Sequence, residues 1–239
     1  MRVIRAYLGV AVLLYLAGTS YTQTVWEWRN PLPQGNRLNA VHVFDATTAV
    51  AVGTAGTVLR TTNAGASWTV QHYVGGTTNN LRGIVFMDAS VGIAVGENGT
   101  IVRTIDGGIT WVLRASGATR DLNGVHFADA SNGIAVGDTG TVIHTVDGGL
   151  TWTVLLSGTT NSLRAVFLLT PTNGIAVGKS GTIVRTTDGG ATWGARPSGT
   201  PWDLNSLRFH NGLVGCTVGD TGTVVLTFDG GVTWTAQPR

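Results

Sequence analysis

Residues 92–111 read Gly-Ile-Ala-Val-Gly-Glu-Asn-Gly-Thr-Ile-Val-Arg-Thr-Ile-Asp-Gly-Gly-Ile-Thr-Trp, and the same pattern returns at 133–152 and 174–193. The closing tryptophans fall at Trp68, Trp111, Trp152, Trp193 and Trp234, spaced by 43, 41, 41 and 41 residues. A second anchor, the glycine ending each Ala-Val-Gly-like run, falls at Gly53, Gly96, Gly137, Gly178 and Gly219. Two anchors with one period identify an internal repeat, which organises the whole reading.

Each period holds four short strand signals separated by glycine or polar turns. In the third copy they are Leu122 to Phe127, Gly133 to Val136, Thr141 to Thr145 and Thr151 to Leu155. Four strands per period of about 40 residues predict an all-β fold, a β-propeller of five four-stranded blades. A parallel β-helix, whose repeats are shorter, is the rival architecture. The repeats run approximately over 35–74, 75–117, 118–158, 159–199 and 200–239. Trp26 to Arg29 reads as a further fourth strand, although the last repeat already has its own. Either five blades close without it, or the chain is part of a larger ring.

The turn between third and fourth strands is specific. It reads Thr104-x-Asp106-x-Gly108-x-Thr110-Trp111 and recurs as Asp147, Gly149, Trp152; Asp188, Gly190, Trp193; and Asp229, Gly231, Trp234. The first copy is relaxed, with Asn63, Gly65, Ser67 and Trp68. A carboxylate at the turn start accepts N–H groups of its own hairpin, the glycine admits positive φ, and the tryptophan covers the turn. These residues resemble the Asp-box repeat of sialidases and other propellers, so they read as structural. One carboxylate per turn does not make a calcium site, and no His spacing suggests a metal.

The run Gly-Ile-Ala-Val-Gly-x-x-Gly-Thr-Ile-Val-Arg-Thr-x-Asp-Gly-Gly-x-Thr-Trp is similar to the repeats of the photosystem II stability and assembly factor family, over roughly residues 35 to 239. The resemblance implies a non-catalytic lumenal or periplasmic protein that binds membrane-protein assembly intermediates, with no cofactor. The chain departs from that family in blade number, in lacking a lipoprotein cysteine and in ending on a fourth strand. A sialidase-like enzyme is the alternative. It would need a Tyr nucleophile with a Glu beside it, yet within the repeats only Tyr73 and Glu97 are available, at unrelated strand positions. The Phe/Tyr-Arg-Ile-Pro segment of sialidases is also missing.

Composition agrees with a packed domain: 43% of residues are hydrophobic, 12% are charged, and 35 are glycine. Arg2 and Arg5, the uncharged run Ala6 to Gly18 and the small residues Ala17 to Ser20 predict a signal peptide over residues 1–22, with the propeller at 23–239. An uncleaved anchor is the other reading of this segment. Export places the protein in a periplasm, a thylakoid lumen or outside the cell. The net charge of +2 equals the two leader arginines, so a basic nucleic-acid-binding surface is not indicated. Cys216 is the single cysteine, aligned with Ile93, Ile134 and Ile175, and reads as a small buried hydrophobe. The histidines read as ordinary exposed strand residues.

Differences between repeats concentrate at the second-to-third strand turns and the loops entering each first strand. First strands alternate Asn39, Arg82, Asn123, Arg164 and Asn205, and third strands carry Arg60, Arg103, His144 and Arg185. With Arg120, Lys179 and Trp202 in the loops, the expected partner-binding residues are Arg82, Arg164, Arg120, Arg103, Arg185, Lys179 and Trp202. Planar arginine donors suit carboxylates and backbone carbonyls, hence an acidic or polypeptide partner. A glycan is the competing ligand, with Trp202 stacking on the sugar.

Overall fold

The computed structural model describes residues 35–74 and 77–238. The expected leader and the strand-like Trp26 to Arg29 lie outside these. The described residues form five sheets, antiparallel except for one added parallel strand. Blade 1 comprises β1 (Leu38–Val43), β2 (Ala49–Gly53), β3 (Val58–Thr61) and β4 (Thr69–Val70). Blade 2 comprises β6 (Leu81–Phe86), β7 (Gly92–Gly96), β8 (Ile101–Thr104) and β9 (Thr110–Arg114), with β5 (His72–Val74) added outside. Blade 3 comprises β10 (Leu122–Phe127), β11 (Gly133–Gly137), β12 (Thr141–Thr145) and β13 (Thr153–Leu156). Blade 4 comprises β14 (Leu163–Leu168), β15 (Gly174–Gly178), β16 (Ile183–Thr186) and β17 (Gly194–Arg196). Blade 5 comprises β18 (Leu204–Phe209), β19 (Gly215–Gly219), β20 (Val224–Thr227) and β21 (Thr235–Ala236).

The propeller expectation therefore holds, with one addition. Blade 2 has five strands, because β5 leaves blade 1 and pairs in parallel with β9, His72 opposite Thr110 and Val74 opposite Val112. Four-strand periodicity carries no signal for this strand, which lies in the first repeat by sequence and in blade 2 by pairing. The fourth strand of the third repeat also starts later than expected, at Thr153. The Asp-box turn uses Thr151 itself, through its N–H and hydroxyl.

Each second-to-third strand turn is a tight reversal with two residues at positive φ, such as Asn98 (φ 53) and Gly99 (φ +68). Type I′ turns need that geometry, and it matches the twist of the flanking strands. The Asn98-Gly99-Thr100 segment is thus a hairpin turn.

The core lies between blades. Val50, Val52 and Val58 of blade 1 pack on Leu81, Phe86, Ala94 and Trp111 of blade 2. Ile93, Val95 and Ile101 meet Leu122, Phe127 and Ile143 of blade 3. Ile134, Val136 and Val142 meet Leu163, Val166 and Val184 of blade 4. Ile175, Val177 and Ile183 meet Leu204, Leu207 and Trp234 of blade 5. Among the described residues no such cluster joins blade 5 to blade 1.

Candidate functional site

Two ends of the blades must be distinguished. In a four-stranded meander, the start of the first strand and the second-to-third turn share one end, while the Asp box occupies the other. Arg82 and Arg164 start first strands, Arg120 and Trp202 lie in loops entering first strands, and Lys179 opens a second-to-third turn. These five residues share one end and form a rim. Arg103 and Arg185 close third strands and lie at the opposite, Asp-box end. The expectation of one arginine surface is corrected here: a third strand runs away from the rim.

At the Asp-box end the arginines connect neighbouring blades. Arg60 Nε donates to Gly107 O at 3.1 Å, Arg103 Nε to Gly148 O at 2.9 Å and Arg185 Nε to Gly230 O at 3.3 Å. Each acceptor belongs to the Asp box of the following blade. Burial lowers the Arg103 pKa from its ordinary value. In blade 3 the position holds His144, whose Nε2 is buried without a hydrogen-bond partner.

The Asp boxes behave as local clamps. Asp147 Oδ1 accepts from Leu150 N at 3.0 Å, Thr151 N at 2.9 Å and Thr145 Oγ1 at 2.8 Å, and Oδ2 accepts from Thr151 Oγ1 at 2.6 Å. Desolvation opposes ionisation, but bonds from Thr151, Thr145 and Leu150 outweigh it and hold Asp147 at about 2. Hydrogen bonds from Thr192 and Thr233 lead the same effect at Asp188 and Asp229, both at about 2. Asp106 shifts in the same direction. The tryptophans differ in burial: Trp111 is 0% exposed and Trp234 8%, whereas Trp152 and Trp193 are half-buried. Trp111, Trp193 and Trp234 donate to the carbonyl of their own box glycine, Gly108, Gly190 and Gly231.

The alternating Asn and Arg of the first strands cross between blades at the rim. Arg82 donates to Asn123 Oδ1 at 2.7 Å and to Asp121 Oδ2 at 2.7 Å, both in blade 3, and to Glu97 Oε1 at 3.0 Å in its own blade. Arg164 likewise donates to Asp203 Oδ2 at 2.7 Å and to Asn205 Oδ1 in blade 5. Asn39 and Asn123 donate to the next blade through Leu81 O and Leu163 O, at 2.7 and 3.0 Å. Hydrogen bonds from Asn80, then Arg82, hold the Glu97 carboxyl below its ordinary range. The second oxygen of Asp121 accepts from Asn98 N at 2.9 Å, and that of Asp203 from Ser180 N at 2.8 Å. Each aspartate therefore clips the preceding blade's positive-φ turn while neutralising its arginine.

Blade 4 breaks the pattern. Where blades 2, 3 and 5 open the turn with Glu97, Asp138 and Asp220, blade 4 has Lys179. Lys179 is exposed, and among the described residues it has no ion-pair partner. With Arg82, Asn123, Asp138, Ser162 and Arg164 it lines a polar cleft of about 400 Å³. Arg120 is exposed beside Asp121, and Trp202 is 43% exposed beside Asp203. Among the described residues the rim thus offers two exposed cations without an ion-pair partner, Lys179 and Arg120, two arginines already neutralised by carboxylates, and a partly exposed indole.

The histidines are corrected in part. His126 is stacked on Phe167 with ring centroids 4.2 Å apart, and its Nδ1 accepts from Leu168 N at 3.1 Å. Burial, with Arg208 nearby, lowers it to about 4, so it is a neutral inter-blade spacer. His144 is also half-buried. Among the described residues no three His, Cys, Asp or Glu side chains converge as metal ligands.

The model of the family "Photosynthesis system II assembly factor YCF48" matches residues 73–158 and 108–193, together just over half of the chain. The chain belongs to this family. No curated protein matches it. Among solved structures, YCF48 from Cyanidioschyzon merolae is similar, at 16% identity and TM-score 0.60, over 87% of each chain. The GH74 enzyme of Niastella koreensis matches at 16% identity and TM-score 0.68, over 83% of this chain but 38% of that one. The WD40 repeats of RRP9 match at 11% identity and TM-score 0.71, over 82% of this chain and 62% of that one. At these identities the likeness to solved structures is one of fold alone.

Proposed function

We propose that this YCF48-family member is an exported, non-catalytic scaffold that binds a polypeptide partner across the rim carrying Lys179. The family match carries the reading. It spans blades 2 to 4, the blades that contribute Arg82, Arg120, Arg164 and Lys179, and its model describes an assembly factor. The partner is a membrane-protein assembly intermediate, met on the far side of the membrane that the leader directs the chain across. Lys179 supplies an unpaired charge for an acidic side chain or terminal carboxylate, beside Arg120 and with Trp202 as the apolar element of the rim.

Because Arg82 and Arg164 also hold the blades together, Lys179 is the informative position to change. Affinity capture from the native membrane fraction is compared for wild type and Lys179→Glu. Recovery of one polypeptide by wild type, lost in the variant, supports the proposal. Equal recovery by both removes the rim from it. Recovery of oligosaccharides without protein replaces it with a glycan-binding reading centred on Trp202.

A further inference from the structure

Each blade ends on an outer strand, and the far edge of such a strand presents N–H and C=O groups that its own sheet does not use. An edge of this kind is a template for another strand, so folded chains blunt it by shortening, charge, proline or cover. Four of the five outer strands follow that rule. β4 and β21 each pair over two residues. β17 contains Gly194 and Arg196 and is followed by Pro197. β9 is covered by β5, which adds to it in parallel over His72–Val74.

β13 breaks the rule. It reads Thr-Val-Leu-Leu over Thr153–Leu156, without charge, glycine or proline, and among the described residues no strand lies beyond it. Leu156 is 87% exposed, more than any other large apolar side chain among the described residues, and Val154 is 49% exposed. Leu155 between them packs inward with Ile134 and Leu163. The backbone alternates in the same way. At the place of Leu155, Gln71 and Gln237 donate their N–H groups to Val58 O and Val224 O of the third strands. Leu155 stands opposite Val142 in the same register, so it bonds inward, and Val154 and Leu156 send their N–H and C=O outward. Beside them an open groove of about 720 Å³ is lined by Thr139, Thr141, Leu156 and the loop from Ser157 to Asn161. None of the residues lining it is charged.

We propose that the β13 edge takes an extended, uncharged polypeptide segment of a partner as a fifth strand of blade 3. The chain already builds this contact on the neighbouring blade, where β5 makes blade 2 five-stranded through the same outer edge. The segment meets the outward groups of Val154 and Leu156 with its main chain, and its alternate apolar side chains rest on those two residues and enter the groove. The site lies along an outer strand and uses neither Lys179 nor the arginines of the rim, so it stands independently of the rim proposal.

The probe is a synthetic peptide with blocked ends, Thr-Val-Gln-His-Tyr-Val-Gly, the sequence of residues 69–75 that includes β5. It is titrated into the full chain while amide signals and their hydrogen exchange are followed residue by residue by NMR. The amides of Val154 and Leu156 should exchange fast in the protein alone, then shift saturably and slow together as peptide is added. Val154→Pro removes one outward N–H that the β12 ladder does not use, and Leu156→Lys places a charge on the edge. Each should weaken the peptide about fivefold or more, the scale of one lost hydrogen bond, with circular dichroism checking the fold of both. Lys179→Glu should leave the titration unchanged, which separates this site from the rim. Slow exchange at Val154 and Leu156 before any peptide is added would mean that the edge is already covered, and would overturn the proposal. Peptide shifts confined to β9, or no saturable shift at β13, would overturn it equally. Shifts at β13 that follow protein concentration without peptide would assign the edge to a second copy and overturn it too.

Discussion

Arg103 donates its Nε–H to Gly148 O at 2.9 Å, tying the third strand of blade 2 to the Asp-box turn of blade 3. This bond links local turn chemistry to the stacking of blades, since its acceptor carbonyl is presented by the Asp147 clamp. Replacing Arg103 by Ala should cost about 1.5–3 kcal/mol, the range for hydrogen bonds to charged groups. Urea unfolding measures it, and rim binding should be unchanged because Arg103 lies at the other end. Loss of binding at unchanged stability would refute the structural role.

The same argument predicts a gain at His144. Its Nε2 is buried without a partner, at the one third-strand position among blades 1 to 4 that lacks arginine. His144→Arg should restore a donor toward Gly189 O and stabilise by about 0.5–1.5 kcal/mol. An unchanged or lower unfolding midpoint would show that blade 4 cannot accept the longer side chain.

Stability should fall in acid through the Asp boxes. Asp147, Asp188 and Asp229 titrate at about 2 in the folded chain, below the ordinary aspartate value of about 3.9. A depressed folded pKa contributes stability that is complete above the unfolded value and lost as pH falls through the folded one. Thermal melts should therefore decline between about pH 4 and pH 2. Asp147→Asn should flatten part of that decline, and at neutral pH Asp147→Ala should cost about 1–2 kcal/mol, the scale of a lost capping side chain. Parallel acid profiles for wild type and Asp147→Asn would contradict this.

The box tryptophans should not be equivalent. Trp111 is fully buried and donates to Gly108 O at 3.1 Å, so Trp111→Ala should cost about 3–5 kcal/mol. Trp152 is half-buried and its Nε1 has no partner, so Trp152→Ala should cost less. Denaturant midpoints of the two variants order them, and equal losses would argue against burial as the cause.

At the rim, Lys179→Glu should place a carboxylate where Glu97 pairs with Arg82 in blade 2, creating the same pair with Arg164. Stability should hold or rise by up to about 1 kcal/mol, as for a partly exposed ion pair, while partner capture falls. A binding loss accompanied by unfolding would remove Lys179 as a contact residue.

The period, the blade count and the Asp-box chemistry were all legible in the sequence, for one physical reason: they depend on neighbours a few residues apart. Thr145, Asp147, Gly149 and Thr151 span one hairpin, so spacing alone brings carboxylate, N–H and hydroxyl together. The alternation Asn39, Arg82, Asn123, Arg164, Asn205 was visible too, but not its meaning. Arg82 finds Asp121 across 39 residues only because blades 2 and 3 stack with one particular offset. That offset also lays Arg103 Nε on Gly148 O of the next blade, stacks His126 on Phe167 and adds β5 to the blade that follows it in sequence. Repeats specify what each blade is; the rotation between blades, set by side-chain packing, decides which residues meet.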